Sequence, residues 1–264
     1  MSTLVVATSA ADAQAVEAVK SHHAQLAGAL SLQVEAIIEA AARGDLAGAA
    51  FASDQLVRWC DAELVPHALA EEEAMYPHAR EDIRARMLVD AMIAEHRDLV
   101  SLVEAVRQAT GAVRAAASAQ ALKSLFTSHL VKENEQILPL LAESSDVSLA
   151  VILEGMHELL GGQKGHESVE PATESGCGGE CGCGHEDPTG VLPELDARAV
   201  PHAIRHATIF GALDSVEPGG GMVLVAPHDP LPLLAQLEAR SPGLFSVDYL
   251  ERGPEAWRVR FVRA

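Results

Sequence analysis

Two stretches of the chain repeat one arrangement of metal-binding side chains. HALAEEEAMYP at 67–77 and HLVKENEQILP at 129–139 each place a His, a Glu four residues on, a second Glu two beyond it, and then a Pro. On an α-helix, positions i and i+4 lie one above the other, so His67 with Glu71, and His129 with Glu133, each present an imidazole beside a carboxylate. His23 and His96 each occupy a place in an apolar stripe where an aliphatic belongs. Six such groups in an apolar interior have few ways to be satisfied. An unpaired buried carboxylate costs on the order of several kcal/mol, whereas a di- or trivalent cation compensates imidazole and carboxylate at once. Mixed nitrogen and oxygen donors suit iron, zinc or manganese rather than a soft thiolate site. Six donors with bridging carboxylates suffice for two ions with coordination positions open to a small molecule. A single His on an apolar face is ordinarily a hydrogen-bonded core residue, and His-x-x-x-Glu recurs by chance; the coincidence of six placements favours metal. Glu73 and Glu135, two positions beyond the core, are expected to face solvent.

These groups meet only if helices aim them inward. Core positions recur at alternating three- and four-residue steps through Val16, Val19, His23, Leu26 and Leu30, then through Val57, Cys60, Leu64, His67 and Glu71. A third stripe runs through Val89, Met92, His96, Leu99, Val103 and Val106, and a fourth through Leu122, Phe126, His129, Glu133 and Leu140. The pattern predicts helix from about 11 to 160, with short connections near Gly44, Pro77 to Glu81 and Thr110 to Ser118. That is an all-α, up-down-up-down four-helix bundle. At roughly 10 Å between helices the six side chains reach one level. Pro66, inside the second helix, removes a backbone hydrogen bond and predicts a bend just before His67.

Residues 161–190 abandon periodicity and hold nine glycines, the signature of a flexible linker. After them LPELDAR, GMVLVA, FSVDYLER and AWRVRFVR read as strands, while HAIRHATIFGALDSV and PLPLLAQLEAR read as helices. The result is a small two-layer α+β domain of order β-α-β-α-β-β. The chain is thus multidomain: a bundle over 1–160, a linker over 161–190 and an α+β domain over 191–264.

The linker carries Cys177, Cys181, Cys183 and His185, a soft donor set for zinc or iron. Its spacing differs from paired CxxC knuckles, so a plain thiol-bearing tether is an equal reading. His202 and His206, a turn apart near a helix N-terminus that favours their neutral form, could join His228 in a second site; solvent-facing histidines are the commoner arrangement.

Charge and length bound the partners. The 264 residues carry a formal net charge of -19 with no basic stripe, which argues against nucleic acid. No run of about 18 apolar residues occurs, and the first apolar run has no basic residues before it, so neither a membrane span nor a secretory leader is expected and the chain reads as cytoplasmic. Four cysteines, three of them crowded together, do not form the spread framework of a secreted disulfide scaffold.

HHAQL at 22–26, HALAEEEAMYP, EHRDL at 95–99 and HLVKENEQILP resemble the four ligand-bearing stretches of hemerythrin-like (HHE) domains. The resemblance implies a four-helix bundle with a non-haem di-iron centre that meets dioxygen, nitric oxide or peroxide, or that handles iron. Its ligands would be His23, His67, Glu71, His96, His129 and Glu133, with Glu71 and Glu133 bridging. His23 is preferred to His22 because HAQL parallels HRDL at 96–99. Oxygen-carrying members place two His one turn apart on the third helix, where this chain offers Met92 and Val100, which weakens the case for reversible oxygen carriage; Glu72 is either a replacement donor or, equally, an exposed surface residue. No flavin or dinucleotide fingerprint appears, so turnover would need an electron-donor protein, and a binding or sensing role is favoured over an enzymatic one. Residues 192–264, with PHAIRHATIF, PHDP and GPEAWRV, resemble an uncharacterised domain often fused to hemerythrin-like or cupin domains. Its architecture is similar to that of sulfur-relay carriers, but the junction DARAVPHA lacks their Cys.

Overall fold

The structure, a computed structural model, describes residues 7–159, 192–200 and 204–264. Four long rods make the first half. The first is α1 (Ala10–Ala42), capped by the Ser9 hydroxyl, which accepts from the Asp12 amide. The second runs through α2 (Leu46–Trp59), α3 (Val65–Ala70) and α4 (Tyr76–Glu81), joined by π-turns at Cys60–Leu64 and Glu71–Met75. The third is α5 (Arg86–Arg107); the fourth is α6 (Ala112–Lys132), a π-turn at Glu133–Ile137, and α7 (Leu138–Glu143). The connections are 43–45, 82–85 and 108–111, and Gly44 turns the first with φ 71°. Two expectations move here: Pro77 to Glu81 is helical, with the chain turning at Asp82, and the fourth rod begins at Ala112 inside the span expected to be loop.

The three π-turns share one cause. Each ends just before a proline, at Pro66, Pro77 and Pro139. Proline has no N–H and its ring crowds the preceding turn, so the ladder widens: the amides of Val65, Tyr76 and Leu138 reach back to the carbonyls of Cys60, Glu71 and Glu133. The bend expected before His67 is therefore a π-turn. The same device opens at Glu71 and again at Glu133.

A fifth helix, α8 (Leu149–Leu159), was read as part of the bundle; it packs Leu149, Ile152 and Met156 against Val16, Met75 and Ile137. Asp12 ties it to α1. The buried carboxylate accepts from the hydroxyls of Ser9 at 2.6 Å and Ser148 at 2.9 Å and from the Ala150 amide at 3.1 Å. Ser9 first, and then the Ala150 amide, bring its pKa down to about 2.

The second half is the expected α+β unit. Strands β1 (Glu194–Asp196), β2 (Gly221–Ala226), β3 (Phe245–Arg252) and β4 (Trp257–Arg263) form one sheet of order β1-β2-β4-β3, with β1 parallel to β2 and the other pairs antiparallel. Helices α9 (Arg205–Asp214) and α10 (Leu231–Arg240) pack Ile209, Leu213, Leu233 and Leu237 on Met222, Leu224, Val259 and Phe261. Asp248 faces Arg260 across β3 and β4 in a 2.7 Å ion pair.

The span expected to be a linker, 161–190, lies outside the described residues; the α+β unit docks on α1, which the sequence did not foretell. Leu32 of α1 belongs to its core, and α9 crosses α1 at two glycines. A Cβ on Gly28 would lie 1.9 Å from the Thr208 carbonyl oxygen, and one on Gly211 would lie 2.1 Å from that of Gln25. The helices touch backbone to backbone, with no side chain able to yield. We expect Gly211→Val to part the two units while both stay folded. In small-angle scattering the radius of gyration should rise with circular dichroism unchanged; an unaltered radius contradicts the docking.

Candidate metal centre

Each rod contributes at one level of the bundle. His23 comes from α1, His67 from α3, His96 from α5 and His129 from α6, while Glu71 and Glu133 open π-turns. All six are buried, Glu133 and His23 completely. One apolar cluster lies on one side of them, with Val19, Met75, Met92 and Ile137. A second lies on the other, with Leu26, Leu64, Leu99, Phe126 and Leu130. The six form a polar layer across an otherwise apolar core.

Within that layer the ligand-type atoms converge. Glu71 Oε1 is 2.8 Å from His67 Nε2 and 3.3 Å from His23 Nε2, and Glu71 Oε2 is 3.5 Å from His96 Nε2. His96 Nε2 and His129 Nε2 are 3.0 Å apart. Glu133 Oε2 reaches toward both halves, 3.7 Å from His23 Nε2 and 3.8 Å from His129 Nε2. Two groupings that could hold a cation result: His23, His67 and Glu71; and Glu71, His96 and His129.

Three imidazoles are held from outside. His23 Nδ1 meets Asn134 Oδ1 at 2.8 Å, His96 Nδ1 meets Glu72 Oε1 at 2.8 Å, and His129 Nδ1 meets Glu95 Oε2 at 3.1 Å. Each outer partner is an acceptor, so each Nδ1 donates and each neutral ring turns the lone pair of Nε2 inward. Lone pairs then face lone pairs between His96 and His129, and face a carboxylate at His23. Lys132 pairs with Glu95 and completes that outer chain.

The charges register the same conflict. Burial pushes the Glu71 carboxyl up, but the imidazoles of His67, His23 and His96 that face it hold it well below the usual range. Burial and then the charge of Glu71 drive Glu133 well above it. Burial depresses His129 to about 4, while His96, despite burial, is raised by Glu71 and Glu72. Without a cation, a proton on His96 relieves the 3.0 Å contact with His129.

The donor set fits a pair of cations. Both oxygens of Glu133 and both nitrogens of His67 are buried without a hydrogen bond among the described residues; His67 Nε2 faces Glu71 at 2.8 Å but out of line. Such orphans in a native core call for a partner, and positive charge at the centre would satisfy carboxylates and inward lone pairs together.

His22 is half-buried, its ring edge-on to His67 at 5.0 Å, flanking the layer. Glu72 lies behind His96 as its Nδ1 acceptor, while Glu73 and Glu135 are exposed. Cys60 is buried and its thiol is pushed up to about 12, first by burial and then by Asp61, so it is an inert core thiol. Cys177, Cys181, Cys183, His185 and His202 lie outside the described residues. His206 and His228 are exposed and line one small pocket with Arg205 and Pro230, but they belong to no metal-capable group among the described residues. Sequence reading missed Asn134, Glu95 and Lys132, which have no spacing rule of their own. It also missed Tyr76, buried with its hydroxyl 3.4 Å from His96 Nε2 and 3.3 Å from His129 Nε2. Its place just before Pro77, at the end of a π-turn, is the one signal that could have pointed to it.

Two family models match the chain. That described as the Hemerythrin HHE cation binding domain covers residues 14–141, and that described as an uncharacterized conserved protein, DUF2249, covers residues 194–263. No curated protein and no solved structure matches. Among the described residues no helix is long and apolar enough to cross a membrane.

Proposed function

We propose that this chain, in which a hemerythrin HHE cation-binding domain is joined to a DUF2249 domain, holds two iron ions and uses them to bind or sense dioxygen, nitric oxide or peroxide. The observation that carries the reading is the buried polar layer, in which inward imidazole nitrogens and two carboxylates converge from all four rods. His23, His67, Glu71 and Glu133 would hold one ion and His96, His129, Glu71 and Glu133 the other, the carboxylates being shared. When bound, iron supplies a redox-active Lewis acid with positions open to a small ligand.

The chain's own residues do the rest. Asn134, Glu72 and Glu95 fix ring orientation and keep each Nε2 free of protons, which raises its basicity as a donor. The flanking Val, Leu, Met and Phe side chains exclude water, so charge at the centre is weakly screened. A surface cleft of about 480 Å³ is lined by Arg80, Arg86 and the two residues that contact His96 from outside the ligand set, Glu72 and Tyr76. Three anchored imidazoles favour retention of metal over release, and hence sensing over storage.

The test is spectroscopic. Anaerobic ferrous protein should change its visible absorption on adding dioxygen, peroxide or nitric oxide; an iron-loaded protein whose spectrum none of the three moves contradicts the proposal. Steady consumption of peroxide or nitric oxide with an added reductant, lost in His67→Ala, would assign turnover instead.

A further inference from the structure

We propose that Tyr76 is a further ligand of this centre, binding as tyrosinate to the ferric ion held by His96 and His129; the inference rests on the cation reading of the cage.

The placement is specific. Tyr76 Oη, His96 Nε2 and His129 Nε2 form a triangle with edges of 3.4, 3.3 and 3.0 Å. Donors about 2.1 Å from a cation and at right angles about it are roughly 3.0 Å apart, so three atoms at this spacing make one face of a coordination shell. The phenol ring stacks on His96, with centroids 5.4 Å apart and planes 17° apart, and is 1 % exposed, so its direction is fixed by packing. The backbone explains how it arrives: Tyr76 ends the π-turn that begins at Glu71, and its amide bonds the Glu71 carbonyl. One widened turn thus delivers a carboxylate at its start and a phenol at its end to the same layer. As a hydrogen-bond donor the hydroxyl could serve one of the three acceptors that face it, the two Nε2 atoms and the Glu133 carboxylate, and would leave the others unsatisfied.

The two halves of the cage then differ. Among the described residues no phenol oxygen stands beside His23 and His67, whereas the His96 and His129 half gains an anionic oxygen donor, hard in the sense that favours a trivalent ion. Binding breaks the phenol O–H bond heterolytically and forms an oxygen–iron bond. The proton leaves to solvent along the cleft that Tyr76 lines, and no electron moves in this step.

The experiment uses the full chain, loaded anaerobically with ferrous iron and then oxidised by ferricyanide, which takes one electron per iron. Expected are a visible phenolate-to-ferric charge-transfer band and tyrosinate ring modes in its resonance Raman spectrum. Tyr76→Phe should keep its iron and lose both. The chain has two tyrosines, so Tyr249→Phe provides an independent arm: band and modes survive in it, assigning them to Tyr76 even if Tyr76→Phe fails to fold. Iron-loaded protein without tyrosinate modes, modes that persist in Tyr76→Phe, or modes lost in Tyr249→Phe overturn the ligand assignment alone. Wild-type protein that takes up no iron overturns the cage reading and this inference together.

Discussion

Glu71→Ala protein is expected to lose iron affinity by more than about a hundredfold. Removing even a partner behind a ligand typically costs about 10–100-fold. Glu71 is central: one oxygen faces His67 at 2.8 Å and His23 at 3.3 Å, and the other faces His96 at 3.5 Å. Its loss takes a donor from both halves of the cage. Asn134→Ala and Glu72→Gln, which touch only Nδ1 atoms, should fall within the 10–100-fold range. Glu73→Ala, an exposed neighbour of the same charge, should bind as wild type does. Competition titration against a chelator of known affinity reads all four. Equal affinities for Glu71→Ala and Glu73→Ala would mean that the layer does not hold the metal.

Above the raised pKa of Glu133, Glu133→Gln should be more stable than wild type without metal and less stable than wild type with iron. A carboxyl whose folded pKa is raised contributes stability that is fully present below its unfolded value, near 4.5, and is lost as pH rises through the folded value. Glu133 is of this kind, driven up by burial and by Glu71. Glu71 is the opposite case: its depressed pKa gives stability present above about 4.5 and lost as pH falls through the folded value. Metal-free wild-type protein should therefore weaken as pH climbs through the raised pKa of Glu133, and Glu133→Gln should not. Above that pH the variant gains on the order of 1–3 kcal/mol, since a buried charge without a partner has been removed. For a domain of this size each kcal/mol moves Tm by about 2–4 °C. With iron the order inverts, because Gln supplies neither the charge nor the shared oxygens and the ligand-induced rise in Tm shrinks. Calorimetric scans at several pH values, with and without iron, check both halves. A metal-free variant less stable than wild type at every pH would contradict the account of Glu133.

The six convergent groups were legible because helix geometry forces them. His67 and His129 each carry a Glu one turn away, and His23 and His96 replace aliphatics in unbroken stripes, so side-chain type and phase suffice. The sheet was legible for the same reason, with β2 uniformly apolar and β4 alternating Val259 and Phe261 with Arg258 and Arg260. What escaped depends on departures from the ideal period. Pro66, Pro77 and Pro139 announce interrupted ladders, but a bend and a π-turn look alike until the backbone is built, and the π-turn is what brings Tyr76 inward. Asn134 and Glu95 act on Nδ1 atoms of rings from other rods, and no spacing rule spans helices far apart in sequence. The docking of α9 on α1 hides in Gly28 and Gly211, which read as ordinary small helical residues until the crossing brings two backbones together.

The most direct measurement is anomalous X-ray diffraction at the iron edge from crystals of the iron-loaded chain. Two peaks are expected in the polar layer, one ringed by His23, His67, Glu71 and Glu133 and the other by His96, His129, Glu71 and Glu133. A layer without anomalous density, its side chains hydrogen-bonded to one another while iron lies elsewhere on the chain, would contradict it.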